Sequence, residues 1–307
     1  MSAVTSLVAV TGVNGFVGRH LCAMAGRTGC ELRAVSRADM EGRGLEHRLR
    51  GVDALIHLAA KAHDRPGRAD NPGHAFHADN VVLTQQVGDA CVAAGVSRMV
   101  FVSSAGVLGR CSPASGFTDL SLPAPHDAYT RSKFAAEEML RNSYSGRLDT
   151  VIIRPPLVYG PGAKGSFSRL MRLASRDWPL PFGALTAPRS LISVRNLCHL
   201  LLRTATAGDA RGLCMLAADA ETTSIAELFT LVRATRGRPS RLFGVPHAML
   251  TAGLWLAGRR RDFAGLALPC VLNGTVARDT LGWTPPYRLE DEIEWTVGCV
   301  ASASEAS

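Results

Sequence analysis

Several residue types and patterns are scarce in this chain of 307 residues. Aromatic residues make up only 6% of it, and lysine occurs only at Lys61, Lys133 and Lys164. No run of about 18 or more apolar residues is present, so the sequence predicts no transmembrane helix. The low aromatic content disfavours an aromatic-rich β-sandwich. The hydrophobic fraction of 47% is nevertheless enough to bury a full core, so we expect a folded globular chain.

The N-terminal segment lacks the pattern of a secretory leader. Residues 1–10 contain no basic region followed by an apolar stretch and a small-residue cleavage site, and they lead instead into a strand-like run. We therefore expect the protein to be cytoplasmic.

The cysteines and histidines lack the spacing of a metal site or a disulfide framework. No two of the eight cysteines form a C-x-x-C pair, and most have apolar neighbours. No Cys or carboxylate set complements histidines such as His74 and His77. We predict reduced, mostly buried thiols and no bound metal.

The net charge is +8, and arginine accounts for 31 of the 34 basic residues. A basic surface could bind nucleic acid, an anionic membrane or a phosphorylated small molecule. The arginines are scattered, with one dense run at residues 259–261, and no nucleic-acid module is recognisable, so a solvated surface is the simplest interpretation. The apolar stretch at residues 245–258 could touch a membrane surface, but a buried helix is favoured. We predict neither nucleic-acid binding nor membrane insertion.

Short apolar runs alternate with longer helical patterns in the first half of the chain. The apolar runs are rich in β-branched residues, as is typical of strands covered on both faces, and they lie at residues 7–11, 32–35, 54–58, 99–103 and 150–154. Helical patterns lie between them, at residues 16–26, 74–94 and 127–142. This alternation predicts an α/β fold, a Rossmann doubly wound parallel sheet whose ligands bind outside the carboxyl ends of the strands.

The pattern becomes irregular and rich in proline after residue 155. Further helices are predicted at residues 195–205 and 224–235, and a last strand at residues 213–217. We predict a Rossmann domain from residues 1–155 with returning segments at about 189–218, and a smaller mixed C-terminal substrate lobe from residues 156–188 and 219–300. Residues 301–307 are expected to form a disordered tail.

A glycine-rich turn directly follows the first predicted strand. Gly12 permits a tight turn, Gly15 lets the backbone approach a pyrophosphate, and Gly18 lets the next helix pack closely on the strand. The N-terminus of that helix offers free N–H groups and a positive dipole end to phosphate. This strand–turn–helix context predicts a dinucleotide-binding loop formed by Gly12, Asn14, Gly15, Phe16, Val17 and Gly18.

The end of the second predicted strand bears on the choice between NAD and NADP. An NAD site usually carries an acidic residue there, which accepts hydrogen bonds from the ribose hydroxyls. This strand ends instead in Ser36 and Arg37, and Asp39 comes later. A hydroxyl and a cation can hold a 2′-phosphate, so the sequence favours NADP over NAD. The alternative is that Arg37 is an ordinary surface residue.

Four polar residues could form a catalytic group. The strand at 99–103 leads into Ser103-Ser104, and Tyr129 and Lys133 come about 25 residues later, one helical turn apart. A free tyrosine has a pKa near 10, and a neighbouring ammonium lowers it. We predict that Tyr129 is the acid/base for a sugar or alcohol oxygen, that Ser104 orients this oxygen, and that Lys133 tunes the phenol and reaches a nicotinamide ribose hydroxyl. An ordinary surface pair of Tyr129 and Lys133 is the alternative.

Together these motifs resemble the extended short-chain dehydrogenase/reductases, and within them the NAD-dependent epimerase/dehydratase group that acts on nucleotide sugars. The resemblance extends from about residue 7 to residue 286 and is specific to the superfamily rather than to one reaction. It rests on Gly12–Gly18, His57-Leu58-Ala59-Ala60, Asn80, Ser103-Ser104, Tyr129 with Lys133, and the segment from Arg154 to Pro161.

The resemblance implies a cofactor and a UDP-sugar or dTDP-sugar in the cleft between the two lobes. The cofactor contacts it implies come from Leu58, Ala59, Ala60, Asn80, Ser103, Tyr129, Lys133, Pro156 and Val158. The substrate contacts it implies come from Ser104, Ser166, Phe167 and Arg189, of which Arg189 contacts the diphosphate. Family members often dimerise through the two helices predicted at 74–94 and 127–142, so a homodimer is expected.

One departure from the family pattern concerns the adenine pocket. Only about 13 residues separate Arg37 from Gly51, where the family usually fits another strand that borders the adenine. That strand is expected to be shortened or absent.

Three functions remain open, and a fourth is disfavoured. A 4,6-dehydratase of this family has an acidic pair after the catalytic serine, but Ala105 and Gly106 stand there. A reductase would use NADPH to reduce a 4-keto nucleotide sugar, whereas a 4-epimerase would use bound NAD. We favour the reductase, because the lack of an acid after the second strand favours NADPH and hence net reduction. Overall similarity is also greatest to reductases of the UDP-N-acetylquinovosamine type and their epimerase-like relatives. A catalytically degenerate sensor or scaffold is the third possibility.

Overall fold

A parallel sheet of six strands is the centre of the part of the chain that the structure describes. This computed structural model describes residues 6–28, 30–42, 44–61, 76–246, 249 and 268–305, with the side chains of 27, 28, 166 and 301–305 left out. His74, the start of the helix predicted at 74–94, most of the stretch 245–258 and the arginines 259–261 lie outside these residues.

The strands of the main sheet are parallel throughout, which confirms the predicted α/β class. The spatial order is β2-β1-β3-β4-β5-β8. Their bounds are Leu7–Thr11 for β1, Glu31–Val35 for β2, Ala54–His57 for β3, Arg98–Val102 for β4, Asp149–Arg154 for β5 and Cys214–Leu216 for β8.

Helices cover both faces of this sheet, because side chains alternate between the faces along each strand. Val8 and Val10 pack with α1 and α7 on one face, whereas Ala9 packs with α4 and α5 on the other. The helices among the described residues are α1 (Phe16–Thr28), α2 (Arg37–Glu41), α3 (Leu45–Leu49), α4 (Leu83–Ala94), α5 (Ala128–Tyr144), α6 (Ser166–Ala174), α7 (Val194–Thr206), α8 (Ile225–Thr235), α9 (Val276–Leu281) and α10 (Leu289–Glu305). None of the helices described is long and apolar enough to cross a membrane.

A second, smaller sheet contains β6 (Leu157–Tyr159), β7 (Arg189–Ser193) and β9 (Thr222–Thr223). β6 and β7 are parallel, and β7 and β9 are antiparallel. A separate apolar cluster packs beside this sheet and draws on α6, α8 and α10. Thus the predicted smaller mixed unit has its own core.

The chain between Arg37 and Gly51 contains no strand among its described residues. Two short helices, α2 and α3, stand there instead, and Val35 at the end of β2 packs with their buried side chains Met40, Leu45 and Leu49. The family strand at this place is therefore absent, as expected.

The tail differs from expectation, because α10 continues as far as Glu305. Residues 301–305 contain neither glycine nor proline that would end a helix, so the composition that predicts disorder is also compatible with helical continuation.

Candidate active site

The glycine-rich turn lies where β1 meets α1. Gly12 adopts a left-handed backbone with φ of 71°, and a Cβ there would lie 2.8 Å from the nitrogen of Ala59. A Cβ on Gly18 would lie 2.7 Å from the Cα of Val13. The tight turn and the close packing of helix on strand therefore need these glycines.

A buried histidine joins this turn to the loop after β3. Thr11 Oγ1 accepts hydrogen bonds from the nitrogens of Leu58 (3.1 Å) and Ala59 (3.2 Å) and lies 2.8 Å from His57 Nδ1. His57 Nε2 lies 3.1 Å from Thr84 Oγ1. Since Thr11 accepts two N–H bonds, its hydroxyl donates to Nδ1, and the imidazole carries its hydrogen on Nε2. Burial lowers the pKa of His57 to about 3, so the ring is neutral.

The end of β2 is more acidic than the sequence suggests. Ser36 caps α2, and its hydroxyl donates to Asp39 at 2.6 Å. The guanidinium of Arg37 donates to Glu41 at 2.6 Å and to Asp79 at 2.7 Å, which raises the pKa of Arg37. Arg37 is therefore already paired with two carboxylates. The S-x-x-D capping pattern could have shown that Asp39 lies beside Ser36. Asp79 belongs to a helical turn that is distant in the sequence.

Ser103 and Ser104 stand directly after β4 and have different surroundings. Ser103 is buried and its hydroxyl has no hydrogen-bond partner among the described residues. Ser104 caps a short 3-10 helix, Ala105–Leu108, by accepting from Gly106 N at 3.1 Å. The nitrogen of Ala105 donates to the oxygen of Pro155 at 2.8 Å, which places this turn beside the end of β5.

Tyr129 and Lys133 lie one turn apart near the start of α5, as predicted. Asp127 caps this helix by accepting from Thr130 N at 2.7 Å. The ring of Tyr129 packs edge-on against Phe76, with 6.1 Å between the ring centroids. Burial and the charge of Asp127 raise the pKa of Tyr129 to about 12, although a hydrogen bond with Ser104 works in the opposite direction.

The structure thus differs from the expectation that the ammonium of Lys133 lowers this pKa. Lys133 Nζ donates to the oxygen of Val102 at 2.8 Å and lies 4.5 Å from the centre of the Phe101 ring. Burial lowers the pKa of Lys133 to about 7, partly opposed by the charge of Glu137. Desolvation of the phenol is the larger effect on Tyr129, and the phenol is therefore held in its protonated form.

A buried acid that the sequence analysis missed lies one further turn along α5. Glu137 is fully buried and accepts from Arg154 Nε at 3.0 Å. Arg141 also donates to it at 3.4 Å. The i+4 spacing from Tyr129 to Lys133 to Glu137 was a usable signal, because these positions share one helix face.

Asn80 lies in a π-helical turn, Ala78–Val82, and its side chain forms hydrogen bonds with protein groups. Its oxygen accepts from Lys61 N at 2.8 Å, and its nitrogen donates to Ser132 Oγ at 2.9 Å and to Lys61 O at 3.1 Å. Ser132 Oγ in turn donates to the oxygen of Tyr129 at 2.7 Å. Through these hydrogen bonds Asn80 connects the loop after β3 to α5.

The expected substrate residues lie in different surroundings. Phe167 is fully buried and packs on Tyr159, with 5.6 Å between the ring centroids. Its apolar ring is stabilised in the core of the small lobe rather than at its surface. Arg189 is half-buried at the start of β7 and donates to the oxygen of Leu268. Ser166 begins α6, and its side chain lies outside the described residues.

The residues present fit a nicotinamide dinucleotide. The glycine turn leaves no room for side chains, and the nitrogens at the start of α1 are available to a diphosphate. The buried, unpartnered hydroxyl of Ser103 lies at the carboxyl end of a central strand, where such a ligand needs a polar contact. Leu58, Ala59, Ala60, Pro156 and Val158 follow β3 and β5 at the same edge of the sheet.

Comparison with known proteins agrees with this geometry. The model of the NAD dependent epimerase/dehydratase family matches residues 8–217. A UDP-glucose 4-epimerase from Vibrio cholerae is 30% identical over 83% of this chain and 79% of its own length. A dTDP-6-deoxy-L-talose 4-dehydrogenase (NAD(P)(+)) from Kitasatospora kifunensis is 27% identical over 96% of each chain. The solved structure of MoeE5 in complex with UDP-glucose and NAD matches with a TM-score of 0.77 and 25% identity, covering 97% of this chain and 99% of that one.

Proposed function

Because the chain belongs to the NAD-dependent epimerase/dehydratase family, we propose that it reduces a 4-keto nucleotide hexose, with UDP or dTDP as the nucleotide. One observation carries this proposal. Tyr129 lies one turn before Lys133, which ties α5 to the end of β4 beside Ser104, and burial raises the pKa of the phenol to about 12. A protonated phenol in this position is the form that donates a proton to a keto oxygen.

The residues of the site divide the work of this reduction. Ser104 orients the 4-keto oxygen, and Tyr129 donates its proton to that oxygen as the carbonyl becomes a hydroxyl. Reduced nicotinamide supplies the hydride to carbon 4 when it is bound. Tyr129 then regains a proton from solvent. Lys133, whose Nζ donates to the oxygen of Val102, lies one helical turn from Tyr129 and would donate to a ribose hydroxyl of the bound cofactor.

A dehydratase reaction finds no support at the residues after Ser104. Ala105 is buried, and a Cβ on Gly106 would lie 2.9 Å from Thr130 Cγ2. An acidic pair therefore has no space in this turn. The carboxyl groups that an elimination of the 6-hydroxyl needs as acid and base are not provided there.

The contacts of Arg37 favour NADH over NADPH as the reductant. A 2′-phosphate would have to displace Glu41 or Asp79 from the guanidinium and would also meet the charge of Asp39. The sequence-based preference for NADP depended on the lack of an acid here. The three carboxylates remove this reason for preferring NADP. They also remove the inference that a preference for NADPH makes net reduction the reaction.

The second candidate is a UDP-hexose 4-epimerase that retains NAD. The same carboxylates near Arg37 favour it, since an epimerase of this family keeps NAD bound, and so does the identity to the epimerase from Vibrio cholerae. In that reaction Tyr129 would first accept a proton from a 4-hydroxyl. The raised pKa of Tyr129 disfavours this direction.

A panel of nucleotide sugars distinguishes the two candidates. The protein is incubated with 4-keto and 4-hydroxy UDP-hexoses and dTDP-hexoses, each with NADH and with NADPH, and the products are identified by NMR. The proposal expects net reduction of a 4-keto sugar with loss of NADH. Conversion of one 4-hydroxy sugar into its 4-epimer, with tightly retained NAD after purification, would favour the epimerase. Size-exclusion chromatography with light scattering in the same preparation tests the expected homodimer.

A further inference from the structure

One helix of the small lobe presents a basic face to solvent. Phe167 and Leu170 of α6 are buried in the core of this lobe. Arg169, Arg172 and Arg176 are exposed, and their spacing of three and four residues places them on one side of the chain. The helix is therefore amphipathic, with arginine as the polar component of its outer face.

A neighbouring segment extends this face. The nitrogen of Leu180 donates to the oxygen of Arg241 at 3.1 Å, and the nitrogen of Phe243 donates to the oxygen of Leu180 at 3.1 Å. The guanidinium of Arg241 donates to the oxygen of Asp177 at 3.2 Å. The exposed residues of the two segments are thus adjacent, and we call them the basic aromatic face: Arg169, Arg172, Arg176, Trp178, Arg241 and Phe243.

The charge of this region is strongly one-sided. Residues 166–183 and 231–244 together contain seven arginines and a single acidic residue, Asp177. Asp177 is paired with Arg238 at 3.0 Å. Arg233 is buried and donates to main-chain oxygens, and Arg236 and Arg238 line one pocket with Glu294 of α10. The surface charge of the face therefore comes from Arg169, Arg172, Arg176 and Arg241. An excess of this kind is complementary to an anionic partner.

Two large aromatic side chains stand exposed among these arginines. Trp178 is 66% exposed, Phe243 is 48% exposed, and the guanidinium of Arg176 lies 5.2 Å from the centre of the Trp178 ring. Tryptophan and phenylalanine beside arginine are typical of surfaces that enter the headgroup layer of a bilayer.

We propose that the basic aromatic face binds the surface of an anionic phospholipid bilayer, with Trp178 and Phe243 at headgroup depth and the arginines on lipid phosphates. The contact is peripheral and goes beyond the proposed reaction. It would bring the small lobe, and hence the sugar side of the site, to a membrane. Single-stranded nucleic acid is the competing partner, since it also combines phosphate with flat apolar rings.

Vesicle sedimentation of the purified full chain tests this proposal. Vesicles of phosphatidylcholine with one third phosphatidylglycerol are compared with vesicles of phosphatidylcholine alone. We expect binding to the anionic vesicles only, with release in high salt, because screening weakens attraction between surface charges. Replacement of Arg172→Gln and Arg176→Gln together should weaken binding about 30-fold, since each arginine near the surface contributes about 1 kcal/mol. Trp178→Ala should weaken it separately while leaving the salt dependence intact.

The double variant Arg278→Gln with Arg288→Gln is the matched control, because both side chains are exposed, lie outside this face and remove the same charge. It should bind like the unaltered chain. Equal binding to neutral vesicles, equal loss in the control variant, or binding to a single-stranded oligonucleotide but not to vesicles would overturn the proposal. Far-UV circular dichroism of each variant ensures that weaker binding reflects the face rather than unfolding. The salt release of the unaltered chain tests the proposal without any variant.

Discussion

Lys133 Nζ donates a hydrogen bond to the main-chain oxygen of Val102 at 2.8 Å. This bond ties α5 to the last residue of β4, directly before Ser103 and Ser104. Because Tyr129 lies one turn earlier on the same helix, the bond also fixes the phenol relative to Ser104. The two halves of the candidate catalytic group are thus positioned by a hydrogen bond from the side chain of Lys133 to the main chain of β4.

Replacement of Tyr129 by phenylalanine should abolish turnover while leaving nucleotide binding largely intact. Loss of a general acid costs about 10²- to 10⁴-fold in kcat. Tyr144→Phe is the matched control, because this residue lies on the same helix and its hydroxyl donates to Gln85 O at 2.8 Å, away from Ser104. It should retain turnover and lose about 1.5–3 kcal/mol of stability, because the hydroxyl also lies 2.8 Å from the carboxylate of Asp89. Steady-state kinetics and cofactor titration check both, and substantial turnover by Tyr129→Phe would remove the phenol from the mechanism.

Glu137→Gln should destabilise the fold strongly. The change leaves the buried guanidinium of Arg154 without its carboxylate, and breaking a buried ion pair costs about 3–5 kcal/mol. Glu138→Gln, one residue later, removes an exposed carboxylate paired with Arg141 and should cost less than about 1 kcal/mol. Urea unfolding measures both free energies. Equal losses of unfolding free energy in the two variants would show that the buried pair stabilises the fold no more than the exposed pair does.

His57 should make the protein less stable in acid. The pKa of His57 is about 3 in the folded chain and 6.5 ordinarily, so the unfolded chain binds more protons between these values. Stability is therefore full above pH 6.5 and declines as the pH falls towards 3, by up to about 1.4 kcal/mol per pH unit. The raised pKa of Asp219, about 6, works in the opposite direction between 3.8 and 6.

The contribution of His57 is isolated by comparing slopes rather than absolute stabilities. His57→Gln should flatten the decline of the unfolding free energy with falling pH relative to the unaltered chain, because glutamine binds no proton in either state. Urea unfolding at a series of pH values provides the slopes. An unchanged slope in His57→Gln would mean that this histidine is not neutral in the fold.

Removal of the carboxylates around Arg37 should shift cofactor preference. In the double variant Glu41→Gln with Asp79→Asn the guanidinium is released, and kcat/KM for NADPH should rise by a factor of about 3 to 10, since each exposed pair contributes at most about 1 kcal/mol. The value for NADH should stay nearly constant. A parallel rise with both cofactors would place Arg37 away from the 2′-phosphate.

The sequence predicts the strands of the main sheet to within one residue. Runs such as 99–103 are short, apolar and bounded by polar or glycine residues. A strand buried on both faces has this local composition, so the run alone is enough to predict it. The tight packing at Gly12 and Gly18 follows for the same reason, because the strand–turn–helix context is local. The predicted start of α5 is one residue too early, because Asp127 is the cap of this helix and Ala128 is its first helical residue.

The details of the site depend on contacts between residues far apart in the chain. Asp79 reaches Arg37 from 42 residues away, and Asn80 reaches Ser132 from 52 residues away. No local pattern signals such contacts. The direction of the pKa shift at Tyr129 was wrong for a related reason, since burial by the surrounding fold outweighs the nearby charge.

The most direct test of the central claim follows hydrogen isotope from cofactor to sugar. NADH labelled with deuterium at the transferable position of the nicotinamide is incubated with the chain and a 4-keto UDP-hexose, and the product is examined by NMR and mass spectrometry. A reductase in which Tyr129 supplies the proton predicts one deuterium at carbon 4 for each NADH oxidised, and no product with Tyr129→Phe. A reduced sugar without deuterium at carbon 4, or no oxidation of NADH in the presence of the 4-keto sugar, would contradict it.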